Sequence, residues 1–102
     1  MNNKNIQIED SKLTCFLQGR LDTAASEAFS QESLPLLLDN IDKKIIIDCT
    51  KLDFISSSGL RILLKLCKAS QAKGKTVTVK NLKSDLMDVL HMTNMDTIFH
   101  FE

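Results

Sequence analysis

Neither sign of charge prevails in this chain: 13 lysine and arginine side chains stand against 13 aspartates and glutamates. A general electrostatic pull toward nucleic acid or anionic lipid therefore has no support in the composition. Long hydrophobic runs are missing as well. No apolar stretch approaches the roughly 18 residues a membrane helix needs. The polar start Met1-Asn2-Asn3-Lys4-Asn5-Ile6 has no signal-peptide core, so a soluble, cytoplasmic protein without membrane insertion is expected. Cysteine is sparse and odd in number. Cys15, Cys49 and Cys67 are widely spaced in segments that read as buried strand or helix, which predicts reduced core thiols. Neither they nor His91 and His100 offer the short paired spacing of a zinc site. The loops Gly-x-x-x-x-Gly-Lys and Gly-x-Gly-x-x-Gly are absent, and so is any paired-cysteine motif. From these gaps a protein without metal, cofactor or catalytic residues is expected.

What is present fits one domain over residues 1–102, since 43% hydrophobic and 25% charged residues is ordinary globular composition for a single core. Ile6–Ile8 and Leu13–Leu17, separated by the polar Glu9-Asp10-Ser11-Lys12, read as a hairpin. After Gly19, Asp22 or Thr23 offers a capping side chain, and Ala25, Ala28 and Phe29 recur at core spacing on a first helix. Pro35 makes Leu34–Asp39 either a kinked continuation or a new short turn. Ile45-Ile46-Ile47, ending at Asp48, has the pattern of a strand covered on both faces by helices.

A second helix is predicted from Gly59 to about Lys73, with Leu60, Leu63, Leu64 and Cys67 on one face and Ile62 and Leu66 widening it. Gly74 would end it, Thr76–Lys80 alternates like a strand, and Ser84 caps a helix through about Met92 with Leu86, Val89 and Leu90 inward. Ile98–Phe101 would close the sheet. This order predicts an α/β fold: a mixed β-sheet opened by a hairpin, continued by parallel crossovers, with helices packed against it.

The most informative stretch is the junction where the apolar run from Ile45 empties through Ser56-Ser57-Ser58-Gly59 into the second helix. Backbone amides at a helix start lack intrahelical partners and carry partial positive charge, so the place suits a hydroxyl cap or a phosphoryl group. A hydrolase nucleophile elbow needs glycine two residues before and two after its serine; here a single Gly59 follows three serines. His91 and His100, the only imidazoles, lie where a plain surface or core histidine is the ordinary reading. One serine would suffice as an N-cap, contributing on the order of 1 kcal/mol. The other two, beside a glycine that keeps the backbone accessible, would be open to a partner enzyme. Residue chemistry alone leaves both readings standing. Arg61, Lys65 and Lys68 form a basic row that is ordinarily just the solvated side of a helix. Met87, Met92 and Met95 read as core filling or as an adaptable contact surface.

Phe54-Ile55-Ser56-Ser57-Ser58-Gly59-Leu60 resembles the signature of STAS domains, specifically of bacterial anti-sigma factor antagonists, and Gly19-Arg20-Leu21-Asp22 is similar to the family's Gly-x-Leu-Asp. The resemblance covers nearly the whole chain. It implies that Ser58, immediately before the glycine, is phosphorylated by a partner that is both anti-sigma factor and serine kinase, with Ser57 as fallback acceptor. It implies too that a serine phosphatase resets the protein, and that the unmodified form binds the kinase and frees the sigma factor. Asp22 matches a loop aspartate beside the switch serine, assigned to partner contact or to positioning the acceptor. Thr23, Ser56, Ser57, Gly59, Leu60 and Arg61 complete the implied partner-binding set. Many members carry aspartate where this chain has Ser56. No direct nucleic-acid partner is implied. A second family role, a small cytosolic subunit docking on the ATPase of a membrane transport complex, carries the same serine and helix end.

Overall fold

In the computed structural model, which describes residues 5–102, Ile6–Ile8 (β1) pairs antiparallel with Lys12–Leu21 (β2). Three parallel strands follow: Lys44–Ile55 (β3), Val77–Lys80 (β4) and Phe99–Phe101 (β5). The sheet order follows the sequence, β1-β2-β3-β4-β5. Thr23–Glu32 (α1) and Leu34–Asp39 (α2) link β2 to β3, and Ser57–Ala72 (α3) links β3 to β4. Ser84–Met92 (α4) and a 3-10 turn at Met95–Thr97 link β4 to β5. Parallel crossovers are right-handed almost without exception, so successive ones advancing in one direction place their helices on one face. Accordingly Phe29, Leu37, Leu66 and Leu90, one from each helix, join a single cluster with the inward strand residues Leu13, Cys15, Ile45, Ile47, Val77 and Val79. The expected mixed α/β sheet with an opening hairpin is the observed one.

That one-sidedness corrects the reading of Ile45–Ile47. Ile46 pairs in register with Thr14 and Thr78, lies outside the core cluster, and points to the opposite face from Ile45 and Ile47. It is nonetheless only 7% exposed. Its in-sheet neighbours shield it, which is why the run reads as doubly covered.

Strand β3 also continues seven residues beyond Asp48. Its inward residues are Ile45, Ile47, Cys49, Leu52 and Ile55, so the spacing changes from two to three. Each change marks an extra residue inserted on β3: the register against β2 steps from Phe16↔Asp48 to Gln18↔Lys51, and from Gly19↔Leu52 to Arg20↔Phe54. These are β-bulges, which bend a strand and increase its twist. At the first, the backbone N–H of Thr50 donates to Asp48 Oδ1 at 3.0 Å and the Thr50 hydroxyl donates to the same oxygen at 2.6 Å. Strand β2 likewise runs through Gly19, whose φ of 68° suits a residue without Cβ, to Leu21.

Pro35 sits in the first turn of α2, where its missing N–H costs nothing, so Leu34–Asp39 is a separate helix and not a kinked continuation of α1. In α3 the buried face is Gly59, Leu60, Leu63, Leu66, Cys67 and Ser70, which moves Leu66 to the centre of the stripe and Leu64 to its margin. Gly74, at φ 71°, closes the helix as expected. Ser84 lies inside α4 and the N-cap position is Lys83, which makes no side-chain cap bond. Lys83 pairs instead with Asp53 across the sheet end. Of Met87, Met92 and Met95, the last is core, Met87 is half-buried and Met92 is exposed. No helix of the described residues is long and apolar enough to cross a membrane.

Candidate functional site

Leu21 and Ile55 are register partners at the carboxyl ends of the parallel strands β2 and β3. The next residue on each strand caps a helix, so two helix N-termini emerge side by side. Asp22 is extended (φ −82°, ψ −171°), and its Oδ1 accepts from the Ala25 backbone N–H at 2.9 Å, opening α1. Ser56 is extended (φ −84°, ψ 169°), and its Oγ accepts from the Gly59 N–H at 3.1 Å, opening α3. The backbone N–H of Ser56 donates to Leu21 O at 2.9 Å and ties the two strand ends together. Both helix starts therefore lie at the carboxyl-terminal edge of the parallel strands.

The division of labour among the three serines follows from backbone geometry. Ser56 alone has the extended conformation an N-cap needs, and the capping bond leaves the Ser57 and Ser58 hydroxyls out. Ser57 is exposed and Ser58 half-exposed on the first turn of α3. Gly59 turns inward. A Cβ built there would lie 2.9 Å from Ile55 Cγ1 and 2.9 Å from Leu21 Cδ2, so the glycine is a packing requirement of the helix start. This corrects the reading that it keeps the backbone open to a partner. Leu60 is likewise core, and neither residue presents a side chain to a surface. Thr23 and Arg61 are exposed and Asp22 and Ser56 half-buried, so Asp22, Thr23, Ser56, Ser57, Ser58 and Arg61 are the members of the expected set that reach solvent together.

The local electrostatics favour an anion on α3. Its first turn contains no acidic residue, and neither does that of α1. Unpaired amides and aligned dipoles at both N-termini thus face one acid, the capping Asp22. On the helix-free face beneath, the Arg20 guanidinium lies 4.2 Å from the centroid of the Phe54 ring. That contact was not foreseen, because the two bulges together set Arg20 opposite Phe54 and the spacing of the sequence conceals it. Elsewhere the histidines stand apart from the serines. His91 Nδ1 lies 2.8 Å from Asp96 Oδ2, whose hydrogen bond and charge raise its pKa, and His100 Nε2 lies 3.5 Å from Glu102. Among the described residues no group of His, Cys, Asp and Glu is arranged to hold a metal.

The STAS domain family model matches residues 3–102. The chain belongs to the STAS domain family. It is 32% identical over 91 residues to BtrV of Bordetella bronchiseptica, a candidate anti-sigma factor antagonist, covering 88% of this chain and 77% of that one. Its fold matches the Thermotoga maritima protein TM1081, a candidate anti-sigma factor antagonist, at TM-score 0.84 and 19% identity, over 94% of this chain and 82% of that one. It also matches the Bacillus anti-sigma factor antagonist SpoIIAA in its unphosphorylated form, at TM-score 0.74 and 17% identity, over 95% and 84% of the two chains. Within this STAS domain, Ser56 performs the capping that an aspartate at that position would perform, since Ser and Asp are near-equal N-caps. Ser56→Ala should therefore cost about 1 kcal/mol in urea unfolding, whereas Ser56→Asp should cost nothing. Equal loss in both variants would show that the cap bond is not what Ser56 supplies.

Proposed function

We propose that this STAS domain is an anti-sigma factor antagonist of a bacterial partner-switching pathway in the cytoplasm, with Ser58 as its phosphoacceptor. The unmodified domain binds an anti-sigma factor that is also a serine kinase, and so frees the sigma factor. In the kinase step Ser58 Oγ attacks the γ-phosphorus of ATP. The new O–P bond forms as the bond to the bridging oxygen of departing ADP breaks, and the hydroxyl proton passes to a base on the kinase. A serine phosphatase resets the domain by hydrolysis, releasing inorganic phosphate. The domain itself is a substrate and a ligand, not the enzyme.

One observation carries this reading: the cap is made by Ser56, so the Ser58 hydroxyl is half-exposed and uncommitted on a helix start packed through Gly59. A phosphate adds about 1.5 to 2 negative charges at pH 7. At a helix N-terminus that charge is favourable by about 0.3–1 kcal/mol, so the domain keeps its fold. Buried against a docked protein without a matched cation, the same charge costs several kcal/mol of desolvation. The switch is then in binding and not in folding. The name of the Bordetella bronchiseptica relative supports the antagonist role.

Incubation with the kinase and ATP, followed by peptide mass mapping, should place one phosphate on Ser58. Ser58→Ala should bind the kinase as wild type does, and Ser58→Asp should bind at least about tenfold more weakly. Equal affinity of all three proteins would remove the switch, and phosphate on Ser57 alone would move the acceptor by one residue.

A further inference from the structure

Helix α3 carries three cations and no carboxylate in a chain whose charges balance as a whole. Arg61, Lys65 and Lys68 are all exposed, and at spacings of four and three residues they form one line along the helix. Continued backward by four residues, that line reaches Ser57; Ser58 lies three residues before Arg61. The other exposed residues of α3 are Ser57, Gln71 and Ala72, so the stripe is neither interrupted by acid nor flanked by an exposed large apolar side chain.

Nothing among the described residues accounts for this arrangement. Among the described residues no ion pair includes Arg61, Lys65 or Lys68. Cations stabilise a helix near its C-terminus, yet the last turn of α3 has none, and Arg61 sits one turn from the N-terminus, where the dipole opposes it. Solubility calls for mixed charge, not for one sign on one helix. Three cations fall short of the six to ten phosphate contacts typical of nucleic-acid binding, and an interfacial membrane helix needs an exposed apolar face that α3 lacks.

We infer that the Arg61–Lys65–Lys68 stripe docks a complementary acidic surface of the partner protein, and that a phosphate on Ser58 cancels the head of the stripe by engaging Arg61. The inference deepens the partner-switching reading and rests on it for the partner's identity. Binding and modification would then share one helix face: the cations steer the unmodified domain onto its partner, and the phosphate replaces the leading cation by a paired, net negative group.

The test titrates the full chain with its anti-sigma factor partner at low and high salt, using wild type, Lys65→Glu, Lys68→Glu and Ser58→Asp. Wild-type affinity should fall as salt rises, and each lysine reversal should weaken binding by about tenfold, mainly through slower association. Both lysines are exposed, and unchanged melting temperatures will show that the variants fold. Reversals that bind like wild type while Ser58→Asp binds weakly would overturn the stripe and leave the switch intact. Weak reversals beside an undiminished Ser58→Asp would uphold the stripe and remove the switch. Tighter binding to phosphatidylserine vesicles or duplex DNA than to the partner, lost in the reversals, would overturn the acidic-protein assignment. On the phosphorylated chain alone, phosphorus NMR should find the second phosphate pKa below about 6, rising toward that value in Arg61→Gln. No change in that variant would overturn the pairing with Arg61.

Discussion

Raising the pH from about 8 to about 10 should cost the domain roughly 4 kcal/mol of stability through its three thiols alone. Cys15, Cys49 and Cys67 are each 1% exposed, and burial pushes each thiol from 9.0 up to about 12; the charges of Asp48 and Cys15 add to the effect on Cys49. An unfolded thiol releases its proton near 9.0 and a folded one near 12, so between those values the unfolded chain binds fewer protons. Stability is therefore intact below 9.0 and falls as pH rises through the window. One unit above the unfolded value, each thiol withdraws about 1.4 kcal/mol, against about 5–15 kcal/mol of total stability for a domain of this kind. The chain has no tyrosine, so no phenol titrates in the same window. The ion pairs of Lys12, Lys44 and Lys83 lie at the surface, where such pairs contribute little. With no tryptophan either, urea unfolding is best followed by far-UV circular dichroism. A flat stability between pH 8 and 10 would contradict the burial of the thiols. Cys67→Ala should reduce the pH slope by about a third.

The same thiols mark how far the sequence reaches. Wide spacing and apolar surroundings were enough to place all three in the core, because burial is a local, periodic property of the chain. The serine junction was legible for a related reason: three small polar residues interrupt the change from strand period to helix period at Ser56–Ser58, and nothing else in the chain does so. What the serines do individually was not legible. They are chemically equal in sequence, and only the extended backbone of Ser56 selects it as the cap.

The end of β3 was hidden because each bulge resets the alternation. Leu52 looks out of phase with Ile45 and Ile47 until the first extra residue is placed against β2, and the second returns Ile55 to their phase. The adjacency of Asp22 and Ser56 is longer in range still. It follows from the pairing of Leu21 with Ile55, which sequence order permits but does not state. The one-sided helix layer follows from the strand order, and three isoleucines in a row cannot report which of them faces it.

Gly59→Val should destabilise the domain by about 2–3 kcal/mol and lower binding to the proposed kinase partner in parallel, although Gly59 has no side chain to offer a partner. Residue 59 is buried, and a Cβ there would approach Ile55 Cγ1 and Leu21 Cδ2 at 2.9 Å and Leu21 Cγ at 3.1 Å. Ile55 and Leu21 are themselves core residues, 8% and 6% exposed, so neither has room to withdraw. Alanine would add this overlap while gaining about 1 kcal/mol of helix propensity, leaving a smaller net loss. Valine adds two further carbons and forgoes most of that gain. Relief requires the first turn of α3 to lift from the ends of β2 and β3, which strains the Ser56 N–H to Leu21 O bond and the Gly59 N–H to Ser56 Oγ cap together. Ser58 would move with that turn. Urea midpoints for Gly59→Ala and Gly59→Val, with kinase affinity measured at a temperature where both remain folded, separate position from stability. Valine at wild-type stability and affinity would mean that the helix start is not held by this contact. A folded Gly59→Val that binds weakly while Gly59→Ala binds nearly normally would show that the close approach of α3 to Leu21 and Ile55 sets where Ser58, the proposed phosphoacceptor, sits.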